Sequence, residues 1–144
     1  MRKKIIELAR ADIGLKEPSG DDKFINWYNK TYRTSFSLNV PWCAMAATYW
    51  LRNAGVPEAK MPGYASCTDA INKAKSRGVW RQRGTYTPQV GDVVIFESPE
   101  TRHTGIVESV SGSVLYTIEG NTGNAVKSKS YSLTSSYILG YIDW

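Results

Sequence analysis

The apolar residues of this chain change period near Gly78, and that change restricts the fold more than any other feature. Up to Gly78 they recur at helical spacing; beyond it they gather into short β-branched or aromatic runs separated by Gly, Ser, Pro and Asn. Ile5, Leu8 and Ala9 predict a first helix that stops by Gly14. Phe24, Trp27 and Tyr28 share one face of a second, short helix in DKFINWYNK. A third helix begins near Pro41, which suits a first-turn position, and runs through Leu51 to Gly55, with Pro57 just beyond. A fourth follows Ser66, whose spacing to Asp69 makes a capping box, and ends at Gly78. The later runs VGDVVIFE, TGIVESV, VLYTIEG and YILGYIDW have the length and residue types of strands. Helices first and strands second imply an α+β fold, with N-terminal helices packed on a C-terminal antiparallel sheet. No repeat or linker divides the chain, so residues 1–144 are expected to form a single domain.

Counts of reactive residues narrow the chemistry. The chain has one histidine, His103, and two cysteines, Cys43 and Cys67. A catalytic zinc ion takes three protein ligands and a structural one four, which argues against a zinc hydrolase. His103 is the only imidazole base available. No apolar run approaches a membrane span. The N-terminus, MRKKIIELARAD, lacks the uninterrupted apolar core of a secretion signal, so the chain is expected to be made in a cytoplasm. Two cysteines there are expected to be free thiols. Eighteen Lys and Arg against thirteen Asp and Glu leave a net +5, which favours loose association with polyanions. Much of the excess lies in KAKSRGVWRQRG, residues 73–84, read as a solvated helix face and loop.

Cys43 stands between Trp42 and a run of small residues in VPWCAMAATYW. Cysteine in such company is usually a small buried hydrophobe. At a helix start, however, backbone N–H groups and the helix dipole stabilise a thiolate, and a neighbouring imidazolium adds to the effect. The strand pattern supplies that imidazole. With Ser111, Gly112 and Ser113 as a three-residue hairpin loop, Val110 sits opposite Val114, His103 opposite Asn121 and Gly105 opposite Glu119. Alternation then puts His103, Glu119 and Asn121 on one face, with His103 and Glu119 about 7–8 Å apart along the diagonal. Gly105 leaves the space above Glu119 open. The other reading is a solvated Glu119 and a loop His103, and a two- or four-residue turn would move Glu119 to the other face. Cys67 lies in the first turn of the fourth helix with no obvious second partner and is expected to be structural.

Taken together, PWCAMAATYW, GDVVIF, HTGIVESV and EGN resemble the CHAP domain (cysteine, histidine-dependent amidohydrolase/peptidase), which is similar to the NlpC-like peptidoglycan peptidases and shares the papain-like fold. The likeness runs from about GLKEP to GYIDW. It implies a cysteine-dependent amidase or endopeptidase acting on bacterial peptidoglycan, of the kind found in bacteriophage endolysins. Residue by residue it implies Cys43 as nucleophile, His103 as general base, and Glu119 and Asn121 as the groups that orient the imidazole. Asp92, in GDVVIF, reads as a turn former. Trp42 is expected to pack under the nucleophile and line the groove beside it. The motifs do not place the oxyanion donor that should accompany the Cys43 N–H; Tyr28 is the candidate. Some relatives bind calcium through an acidic loop before the cysteine, but TYRTSFSLNVPW contains no acid, so no metal and no cofactor is expected. The implied partners are peptidoglycan and an anionic wall polymer, with no nucleic acid, and the chain is expected to be a monomer. Ending at Trp144, it fits a stand-alone enzyme, a trimmed catalytic domain or part of a longer product. Two rival readings are a glycosidase built on paired carboxylates, with Glu119 as one of them, and a non-catalytic wall-binding module suggested by the many aromatics.

Overall fold

Four helices precede six strands, in the order that the change of period predicts. The computed structural model describes residues 1–144. The helices are α1 (Arg2–Asp12), α2 (Ser19–Tyr32), α3 (Cys43–Asn53) and α4 (Cys67–Ser76). The strands are β1 (Trp80–Gln82), β2 (Val93–Glu97), β3 (Arg102–Ser111), β4 (Val114–Thr122), β5 (Ala125–Ser132) and β6 (Ile138–Ile142). They form one antiparallel sheet in the order β1-β6-β2-β3-β4-β5. The α+β class is as expected. The Ser66 cap is also present, its hydroxyl accepting the Asp69 N–H at 3.4 Å.

Two strands were missed for different reasons. Strand β5 lies at an edge and exposes Lys127 through Ser130, so it has no apolar alternation to betray it. Its order comes from backbone pairing with β4 and from the segment before α2: Gly14 N–H donates to Val126 O, and Val126 N–H to Leu15 O. Strand β1 is three residues long and sits inside the basic segment that was read as helix face and loop. There Lys73 pairs with Asp69 at 2.8 Å and Arg81 with Asp143 at 3.6 Å.

Helix α3 is buried almost all round, with Cys43 through Thr48, Trp50 and Leu51 inside. A helix with no polar face belongs in the core. It packs on β3 and β4, and its small residues permit a close approach. Gly120 completes that approach: a Cβ there would stand 2.7 Å from Ala46 Cβ and 3.0 Å from the Trp42 ring. Val93, Ile95, Ile106, Ile118 and Ile142 face this helical layer. Val94, Phe96, Val107, Leu115, Ile138 and Tyr141 form a smaller cluster on the other face. His103 pairs with Phe96, so it belongs to that second face.

The β3–β4 hairpin differs from expectation in two ways that cancel. Ser111 pairs with Val114, so the turn has two residues, Gly112 and Ser113. Gly112 has φ +59, as the first central position of a tight hairpin turn requires. A two-residue turn by itself would have sent Glu119 to the helical face. A bulge between Val107 and Ser109 adds one residue to β3 and restores the expected register from Val107 onward. Ile106 therefore pairs with Ile118, and Glu119 shares the face of His103.

Candidate active site

Three elements converge on His103. Nε2 of the ring lies 2.9 Å from Glu119 Oε1. Glu119 is only 1% exposed, and burial without partners would be costly for a carboxylate. It has partners on both oxygens: Oε2 accepts from Thr117 at 2.6 Å and from Tyr131 at 2.8 Å, while Oε1 accepts from Thr122 at 3.1 Å. The Thr122 hydroxyl also lies 3.2 Å from His103 Nε2. The His103 ring stacks on Phe96, with centroids 5.8 Å apart. With Nε2 turned to Glu119, Nδ1 is the ring nitrogen left for Cys43, which lines the same groove.

Cys43 is the first residue of α3 and is buried. Its pKa is lowered well below the ordinary thiol value. The Cys67 thiol, hydrogen-bonded to the Cys43 sulfur, contributes most; His103, by hydrogen bond and charge, and the Thr104 N–H add to it against the cost of burial. Cys67 is raised in turn, first by that same hydrogen bond, then by burial and the charge on Cys43. The two shifts run in opposite directions, Cys43 down and Cys67 up, so Cys43 is the more readily ionised, and both cysteines are free. Burial works against a charged His103, but its hydrogen bonds to Cys43 and Glu119 outweigh it and raise the ring to about 9. Glu119 is lowered: burial pushes it up, and the His103 hydrogen bond and charge, with the Thr117 and Tyr131 hydroxyls, overcome that. The lowered Cys43, raised His103 and lowered Glu119 together favour a thiolate–imidazolium pair over a neutral thiol and imidazole.

A groove of about 500 Å³ opens over Cys43, His103 and Glu119, walled in part by Asn121, Lys129 and Tyr137. Gly105 is required here, because a Cβ on it would stand 2.6 Å from Glu119 Cγ. Asn121 lines the groove but makes no hydrogen bond to His103. It sits at φ +57, within the register shift between Glu119 and Thr122, and Thr122 takes the place beside the imidazole. The structure does not place Trp42 in the groove. It is fully buried, stacked on Phe24 at 5.6 Å, with its indole N–H donating to Glu17 at 3.1 Å. Tyr28 lies among Trp27, Tyr32 and Phe36, away from the groove walls. Asp92 is buried in the turn before β2, where it accepts from Arg2 at 2.7 Å, Tyr86 at 2.8 Å and the Gln89 N–H at 2.8 Å. No three His, Cys, Asp or Glu side chains converge as metal ligands.

Sequence reasoning missed Thr117, Thr122, Tyr131 and the contact of Cys67 with Cys43. Thr117 carried a usable signal, since it lies two residues before Glu119 on one strand and must share its face. The others depended on pairings that local pattern does not encode.

The CHAP domain family matches residues 35–121, a span that contains Cys43, His103, Glu119 and Asn121. Two solved structures superpose along 99% of the chain: Ly7917, at 18% identity and a TM-score of 0.60, and Ly7917 with the hydrolyzing product of MDP, at 17% and 0.57. The chain covers 62% of the length of each of these. PlyC, at 15% identity and a TM-score of 0.47, is covered over 49% of its chain. No protein of curated function matches in sequence. The Ly7917 structures share the α+β fold, the family spans more than half of the residues, and the chain therefore belongs to the CHAP domain family.

Proposed function

We propose that this chain is a peptidoglycan hydrolase that cuts an amide bond with Cys43 as its nucleophile. CHAP membership supports the coarse reading, and so does the likeness in fold to Ly7917, which was solved with the hydrolyzing product of MDP. The observation that carries the finer reading is that Cys43 and His103 face one groove, with the imidazole held from behind by buried Glu119. A nucleophile, a base and a third group that orients the base are the parts covalent acyl transfer needs.

The Cys43 thiolate attacks the carbonyl carbon. The backbone N–H of Cys43, at the first position of α3, has no intrahelical acceptor and is available to the oxyanion. His103, protonated in the resting pair, gives its proton to the departing amine as the C–N bond breaks and a thioester forms. Water then attacks the thioester, His103 takes a proton from it, and the thiolate and a carboxylic acid product are released. Glu119 keeps the ring oriented and stabilises its charge throughout. In this reading residues 1–144 act as one catalytic domain, made in a bacterial host cytoplasm and working on the wall. The paired-carboxylate rival loses its footing, because Glu119 is the single acid lining the groove and it is tied to four side chains.

Mass spectrometry of fragments from defined peptidoglycans tests the proposal. Wild type should release new amine and carboxyl termini. Cys43→Ala should be slower by at least about a thousand-fold with unchanged thermal unfolding. An unimpaired Cys43→Ala protein would overturn the assignment, and new sugar reducing ends would point to glycosidic cleavage instead.

A further inference from the structure

One charged group in the groove wall has no part in the chemistry above. Lys129 reaches the groove from β5 and is exposed. It pairs across the ladder with Thr117, whose hydroxyl bonds Glu119, so it stands on the face that carries the catalytic set. Lys129 takes part in none of the ion pairs of the chain. The acids nearby are already committed: Glu119 to His103, and Glu97 to Arg102 at 2.9 Å. Arg102, the other cation in the wall, donates from Nε to Glu97 and from Nη1 to the Thr68 hydroxyl at 2.9 Å. Lys127 stands next along the same face, opposite Glu119, with its ammonium over the turn at Gly123. The β5 side of the groove thus presents the Lys129 ammonium, for which the chain supplies no anion.

A cation that lines a binding groove and has no ion-pair partner in the chain is free to meet an anionic group on what the groove binds. We infer that Lys129 pairs with a free carboxylate of the bound peptide, making it a specificity-determining residue. On this inference, which rests on the hydrolase reading, the enzyme prefers stem peptides whose non-terminal carboxyl is the free acid over those in which it is amidated. A lysine ammonium suits the task in an open groove, because a point charge with three rotatable donors tolerates a range of carboxylate positions. The pair would be solvent-exposed, so the preference is modest and falls with salt.

The test uses two synthetic muramoyl peptides that differ only in whether the non-terminal carboxyl is free or amidated. Binding is measured by calorimetry on Cys43→Ala, so that no turnover is needed. The acid form should bind about three- to five-fold more tightly, the size of an exposed ion pair. Adding Lys129→Gln should abolish that difference, and Lys129→Arg should retain it. In the active enzyme Lys129→Gln should raise KM for the acid form and leave kcat within about two-fold. A preference that survives Lys129→Gln, no preference at all, or no binding of either peptide overturns the inference. Failure of the hydrolase reading shows separately, as absence of amide cleavage by wild type, and the calorimetry still decides whether Lys129 reads a carboxylate.

Discussion

Asp92 and Glu119 are both buried carboxylates, at 0% and 1% exposure, yet they do different work at different ends of the sheet. Asp92 is held by partners that belong to the framework: Arg2 from α1, Tyr86 and the backbone of its own turn. Its pKa is raised, because burial outweighs those contacts. Glu119 is buried as deeply but is lowered, because an imidazolium and two hydroxyls outweigh the same cost. The Asp92 cluster closes on itself. The Glu119 cluster continues through His103 to Cys43 at the edge of a groove. Burial of an acid therefore says little about its role, and the identity of the group it charges says a great deal.

Neutralising each acid should separate the two roles. The largest effect is expected for Glu119→Gln, which leaves the ring without its counter-charge: kcat/KM should fall by about 10²–10⁴. The same variant should move the alkaline limb of the rate profile. His103 is raised, so its charged form is favoured by the fold; the stabilisation it brings is complete below about pH 6.5 and is lost as pH rises through about 9. Wild-type activity should decline through that upper value, and in Glu119→Gln the decline should begin closer to the ordinary histidine range. An unchanged limb would break the contrast with Asp92.

Asp92→Asn should show the converse pattern. It sets an amide NH2 where a carboxylate oxygen accepts from Arg2 or from Tyr86 and the Gln89 N–H, leaving a buried donor unpaired, and should cost about 2 kcal/mol in urea unfolding, with activity per folded molecule unchanged. A large loss of kcat with normal stability would mean that Asp92 acts on the site after all. The smallest effect is expected at Cys67. Cys67→Ala removes the strongest of the contacts that lower Cys43, so alkylation of Cys43 at pH 6 should slow by roughly ten-fold, and Cys67→Ser should recover part of the rate. If the alkylation profile of Cys67→Ala matches wild type, the second thiol is only packing.

Most of the fold and the centre of the site were legible in the residues. The apolar period placed four helices, the Ser66–Asp69 spacing marked a cap that is present, and period-two alternation put His103 and Glu119 together. The last of these came out through compensation, because the expected three-residue turn is a two-residue turn followed by a bulge. A bulge shifts the register by one residue without leaving a mark on the polar–apolar pattern of a partly exposed strand. Strand β5 escaped for a related reason: an edge strand is ordered by its backbone, so KSKS needs no apolar face, and with it went Tyr131 and Lys129.

What the amino-acid sequence determined by itself is the short-range part. It set where helices start and stop, which strand residues share a face, and that Cys43 opens a helix able to stabilise a thiolate. Tertiary structure decided which of several similar groups meet. Trp42 and Cys67 show the division from opposite sides. A tryptophan beside Cys43 went into the core, because Gly20 and Gly120 leave room for its ring. A cysteine on another helix arrived beside Cys43, because α4 docks on β3. Propensity, capping and alternation act over a few residues and are written in them. Contacts between segments that are distant along the chain depend on how whole layers pack, and no local pattern carries that information.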